Sequence, residues 1–166
     1  MQLAVIFWTE EGCLKVVSSL KAAASIVCTA LLLGNSAQAS EIVGLNSGKV
    51  LQGSPPFSEA VRVGDTLYMS GQVGLEPSTQ KLVPGGIEAE AKQTMANIKA
   101  SIEASGYEMS DIVKCLVIMA DMSELPAFSK IYLSSFEESK YPARSAFAAS
   151  GLALDARVEV ECIASK

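Results

Sequence analysis

The chain contains no histidine. Its absence removes the usual general base near neutral pH and the commonest neutral metal ligand, leaving carboxylates, cysteine, lysine, tyrosine, bound water and the backbone for any chemistry. Basic residues are also scarce: 13 Lys and Arg against 18 Asp and Glu give a net charge of −5. Without a basic stripe to neutralise phosphates, nucleic acid is not the expected partner. No phosphate-cradling glycine loop, metal-ligand cluster or Ser/His/Asp set can be assembled, and there are no internal repeats or low-complexity tracts. Apolar side chains are plentiful. They make up 49% of the 166 residues, which points to one acidic domain with a single core.

Between Leu14 and Ala39, a short segment carrying Lys15 and Lys21 leads into the apolar run AAASIVCTALLLG and then NSAQA, followed by Ser40. This is the order of a secretory signal, with Ala37 and Ala39 as the small-residue pair and the cut between Ala39 and Ser40. The run from Ala22 to Gly34 is shorter than the ~20 residues a membrane-spanning helix wants. Cleavage is therefore expected over retention as an anchor, leaving no stable membrane span. Residues 1–13 carry Glu10 and Glu11 where a signal is basic, and read as an upstream extension of the frame. The expected organisation is a leader over 1–39 and a domain over 40–166, periplasmic or secreted, or cytoplasmic if the leader does not function. Of the four cysteines, Cys115 and Cys162 would survive cleavage. Each lies in an apolar strand-like run, so buried small hydrophobes are expected rather than a disulfide, which an oxidising compartment would permit.

Along the domain, Ala60–Val63 and Thr66–Val73 flank Gly64-Asp65 and predict a hairpin. Ile87, Ala91, Met95, Ile98 and Ile102 recur at helical spacing, between Gly85-Gly86 and Ser105-Gly106. Asp111 to Ala120 is a nearly continuous apolar run of strand length. Asp121 or Ser123 can cap a second helix with Leu125, Phe128, Ile131, Tyr132 and Phe136 on its apolar face. After Pro142 come two more strand-like runs, the second alternating Val158, Val160 and Cys162 with Arg157, Glu159 and Glu161. The order ββ, α, β, α, ββ predicts an α+β domain: a mixed sheet with two helices on one face. The other face of such a sheet is commonly covered by subunit association.

The candidates for chemistry are Arg144, Glu159, Glu161, Cys162 and the Ser70-Gly71-Gln72 stretch. Arg144 heads the apolar run of YPARSAFAAS. A guanidinium is always charged and presents a planar fork of donors, so an arginine in that setting can clamp a carboxylate. From spacing alone, an arginine paired with a nearby glutamate, or one covering an edge strand with its stem, is the simpler reading. Glu159 on the alternate face of a strand reads as solvated, and Cys162 as core. Gly71 within a strand marks a bulge or a close backbone approach.

Three blocks, PPFSEAVRVGDTLYMSGQVGLEP, NIKASIEASGYEMSDIVKCLVIMADMSELPAFSKIY and YPARSAFAASGLALDARVEVECIA, resemble the RidA family of enamine/imine deaminases in order and in register, from about Gly53 to Ala164. The resemblance implies a chorismate-mutase-like α+β subunit, a homotrimer with ligand sites between subunits, and cofactor-independent hydrolysis of 2-aminoacrylate and other 2-imino acids to 2-keto acids and ammonia. It places the family's substrate-binding arginine on Arg144, the acidic residue that holds or activates water on Glu159, and a pocket-bordering glycine on Gly71. It also implies departures: Ala146 where many members have cysteine, Phe57 where tyrosine is common, and Ser129 where asparagine is frequent. These put the substrate range in doubt and leave the clamp intact. A non-catalytic binder of 2-keto acids or other carboxylates is the alternative, followed by the endoribonuclease and chaperone-like roles attached to some members.

Overall fold

The first strands of the described residues form a meander whose turns follow from local chemistry. The computed structural model describes residues 40–166; the expected leader, with the Ala39 side of its expected cleavage site, lies outside the described residues, and Ser40 is exposed. β1 (Ile42–Leu45), a short strand that the sequence pattern had not marked, pairs antiparallel with β2 (Ala60–Val63), and β2 pairs with β3 (Thr66–Met69). Gly64, with φ at 57°, supplies the left-handed residue that the two-residue Gly64-Asp65 turn needs. β3 stops at Ser70-Gly71 and the chain resumes as β4 (Gln72–Val73); β5 (Leu75–Glu76) and β6 (Lys81–Leu82) form a small separate hairpin.

The helices and remaining strands follow. α1 (Gly86–Ala104) ends at Ser105-Gly106 as expected. A turn at Met109–Asp111 leads into β7 (Ile112–Met119), then comes α2 (Leu125–Ser134), the edge strand β8 (Ala143–Ala148) and β9 (Val158–Ser165). The Ser123 amide donates to Asp121 Oδ1 at 2.8 Å, so Asp121 caps the short Met122–Glu124 turn leading into α2, and that bond holds its carboxyl below the usual carboxylate range. Arg157, just before β9, donates from Nε to both Glu124 carboxylate oxygens, at 3.0 and 2.9 Å, which ties the entrance of α2 to the sheet.

The main sheet runs β1-β2-β3-β9-β7-β8, with β4 also on β9; β7 and β8 are parallel and the other pairs antiparallel. Ala91, Met95, Ile98 and Ile102 of α1 and Phe128 and Tyr132 of α2 pack on Leu67, Val117, Met119, Val158 and Val160 from the sheet. The α+β class and the pair of helices on one face thus match the periodicity.

The cysteines correct the expectation. Both are buried, at 0% and 1% exposure, yet they form a disulfide. Cys115 on β7 is the register partner of Cys162 on β9, with Cα atoms 4.2 Å apart. Neighbours that close in an antiparallel pair are directly opposed, and two sulfurs there share one site. An apolar setting is equally the setting of a buried disulfide, so the runs around each cysteine could not separate the two readings.

Candidate functional site

Arg144 lies on β8, whose sheet neighbour is β7. It stands opposite Cys115, which stands opposite Cys162, so the arginine shares the row of the disulfide and the helix-covered face of the sheet. From there it reaches α2. Nη1 donates to Ser129 Oγ at 3.2 Å, and the guanidinium carbon lies 5.0 Å from the centre of the Tyr132 ring. Among the described residues no carboxylate pairs with it, which sets aside the ion-paired arginine. Ala146, two residues on, points the same way and packs partly against the core. The sequence pattern places Tyr132 only on the apolar face of its helix. Its signal in the sequence was faint: a tyrosine one turn after Ser129. Burial pushes its hydroxyl up to about 12, with the charge of Arg144 pulling the other way.

A second cluster forms where β3 breaks. The Ser70 amide donates to the Glu59 carbonyl at 2.9 Å and Ser70 Oγ to the Ser58 carbonyl at 2.7 Å, which pins the break to the segment just after Phe57. Glu59 is itself held, its buried carboxylate accepting from Ser101, the Ser47 amide and the Ser47 hydroxyl. Gly71 follows Ser70, and the Glu159 side chain fills the space a side chain there would need. A Cβ on Gly71 would fall 2.8 Å from Glu159 Cδ and 3.0 Å from Cγ. Gly71 and Glu159, proposed from separate parts of the chain, therefore touch. Phe57 stands half exposed beside the segment that Ser70 holds.

The two clusters do not meet within one chain. Glu159 is in register with Ile118, and Ile118 with Phe147; this row faces away from the helices. Arg144 and Glu159 sit two strands apart, about 10 Å across the sheet from strand spacing alone, with side chains on opposite faces. The face that carries Glu159 also carries the exposed Glu161, two residues on, and is otherwise largely apolar. Phe147 and Tyr68 are nearly half exposed, and Leu116, Ile118, Val61 and Ile163 are partly covered. A groove of about 880 Å³ between α1, α2 and the Gly106–Ser110 loop contains none of these candidates. Among the described residues no trio of Cys, Asp or Glu side chains is grouped as a metal site, and no helix is long and apolar enough to cross a membrane.

A mixed sheet backed by paired helices, with a guanidinium seated at one edge and a carboxylate against a bare glycine on the other face, defines an α+β domain with two candidate polar sites. The chain belongs to the RidA family: the model of the family described as endoribonuclease L-PSP matches residues 48–166. It is 44% identical to the 2-iminobutanoate/2-iminopropanoate deaminase of Mus musculus over 109 residues, covering 66% of this chain and 80% of that protein. The human protein of the same name is 38% identical over 109 residues, covering 66% of this chain and 79% of its own length. Among solved structures, RidA from Psychrobacter is 34% identical with a TM-score of 0.68, covering 78% of this chain and 99% of that one. The YjgF gene product of E. coli is 28% identical with a TM-score of 0.69, covering 75% and 98%.

Proposed function

We propose that this protein hydrolyses 2-imino acids, including the 2-iminopropanoate formed from 2-aminoacrylate, to 2-keto acids and ammonia without a cofactor, as an exported homotrimer. The observation that carries the reading is the state of Arg144. Nη1 is engaged by Ser129, one face rests on Tyr132, and among the described residues Nε and Nη2 make no hydrogen bond. That leaves two parallel donors for a carboxylate, the group common to every 2-imino acid. The deaminase names of the relatives support the same chemistry.

The reaction asks little of the protein, because a protonated imine carbon is already electrophilic. Water adds to that carbon, a C–O bond forms, and the C=N electron pair moves to nitrogen. Glu159 accepts a proton from the attacking water and returns it to nitrogen; the C–N bond of the carbinolamine then breaks as its hydroxyl oxygen forms the C=O bond and gives its proton back to Glu159, releasing the keto acid and ammonia, which takes up that proton as it leaves. Arg144 fixes the far end of the substrate, and the Gly71 backbone borders the place where Glu159 works.

The same geometry supports assembly. Because Arg144 and Glu159 lie on opposite faces, a complete site takes Arg144 from one copy and Glu159 from its neighbour, and the apolar face around Ile118 and Phe147 is the surface a neighbour would cover. A head-to-tail contact that closes on itself makes a ring, and the trimer is the ring proposed here. Export is supported by the leader pattern and by the Cys115–Cys162 disulfide, since such bonds persist mainly in oxidising compartments. Cell fractionation with N-terminal sequencing, combined with an amino-acid-oxidase assay of keto-acid release, tests both parts. The reading expects a periplasmic or secreted chain beginning at Ser40 that accelerates release. A cytoplasmic chain with residues 1–39 attached would refute export, and release no faster than the uncatalysed rate would refute the activity.

A further inference from the structure

An arginine on an exposed edge strand would ordinarily sample many rotamers, and each carboxylate it bound would have to order it anew. Arg144 is not free in that way. Its guanidinium lies over the ring of Tyr132, with the carbon 5.0 Å from the ring centre. Tyr132 is 1% exposed and its ring stands 5.7 Å from Phe128 and 4.9 Å from Phe136, so the platform cannot turn aside. Tyr132 also has a buried hydroxyl with no hydrogen-bond partner among the described residues. The residue is therefore not held in place by its oxygen; what it offers Arg144 is the electron-rich face of the ring.

We propose that Tyr132 is the positioning residue for the carboxylate clamp: its buried ring holds the Arg144 guanidinium by one face, with Ser129 taking Nη1, so that Nε and Nη2 are aimed and unspent before substrate arrives. The proposal rests on the reading that Arg144 binds the substrate carboxylate, and it concerns affinity rather than the chemical step. The ring acts through the arginine and touches no reacting atom. Loss of the ring should accordingly raise KM and spare kcat. Loss of the hydroxyl alone should change neither.

The test compares three variants of the purified assembly, using 2-iminobutanoate made by an amino-acid oxidase for kinetics and 2-oxobutanoate for calorimetric binding. Tyr132→Leu is expected to raise KM and the dissociation constant about tenfold while kcat stays within about twofold, the range of a partly desolvated cation–ring contact. Tyr132→Phe, which keeps the ring, should stay within about twofold on all three. Phe128→Leu removes a comparable buried ring from the same helix without removing the Arg144 contact, and should leave binding unchanged. Wild-type binding by Tyr132→Leu, or an equal loss in Phe128→Leu, overturns the proposal. Should Tyr132→Leu not fold, the Arg144 side-chain NMR signals of the wild-type protein decide: ring-shifted, ordered resonances support the platform and random-coil ones refute it. Arg144→Ala separates the two levels. If it leaves turnover intact the deaminase reading falls; if it abolishes turnover while Tyr132→Leu binds normally, only the platform falls.

Discussion

Reducing the Cys115–Cys162 bond should remove a large part of the stability of the fold. The bond closes a loop across a sequence separation of 47 residues, running from β7 through α2 and β8 to β9. Loop-closure entropy for that length corresponds to about 4 kcal/mol at room temperature, a substantial share of the 5–15 kcal/mol typical of domains. At ~4 °C per kcal/mol for a domain of this size, the midpoint should fall by ~15 °C. The assay is thermal unfolding of the purified, oxidised protein, with and without a reductant, at one fixed protein concentration because assembly would contribute to the midpoint. Thiol titration in denaturant should find no free sulfhydryl before reduction and both after it. Reduced wild type isolates the loop contribution, and a Cys115→Ala/Cys162→Ala chain should unfold lower still because sulfur volume is missing from the core. Free thiols before reduction, or a midpoint that moves by less than ~4 °C, would refute the reasoning.

Further outcomes follow from the site. Gly71→Ala must displace the Glu159 side chain; because that side chain is flexible, the midpoint should change little while kcat falls about a hundredfold, the lower end of what proton transfer contributes. Arg144→Lys keeps charge but loses the planar fork, so KM for 2-imino acids should rise by about tenfold or more as determined by initial rates. Tyr132 has its hydroxyl raised to about 12 against 10.0 unperturbed. Its contribution is fully present below pH ~10 and is lost as pH rises toward 12. Tyr132→Phe should therefore show a shallower alkaline loss of stability than wild type in denaturant titrations at matched pH.

The parts of the fold that were legible in the sequence are those governed by local periodicity. α1 and α2, the Gly64-Asp65 turn and the alternation of β9 all follow from side-chain spacing. β1 was missed because Ile42–Leu45 is only four residues long and depends on β2 for its pairing. The disulfide was missed because register is a long-range property, and a cysteine in an apolar run looks the same whether or not its neighbour strand carries another. Arg144 shows the same division. Its charge and position were visible, but that it rests on Tyr132 and Ser129 depends on how α2 packs against β8. A close approach at Gly71 was readable from a glycine within a strand and the pocket roles of Gly71 and Glu159 only through the family resemblance, but that the two touch required the β4–β9 register. That Arg144 and Glu159 face opposite ways is a matter of strand parity across β7, which no single segment encodes.

The most direct test of the central claim mixes two inactive chains. Arg144→Ala and Glu159→Gln are each expected to abolish acceleration of 2-keto acid release in the oxidase-coupled assay. Co-expressed so that subunits assort at random, they should regain about a quarter of wild-type activity, because that share of head-to-tail interfaces joins an intact Arg144 to an intact Glu159. Activity no higher than that of the separate variants would contradict a site shared between copies, and full activity in either variant alone would contradict the role of its residue.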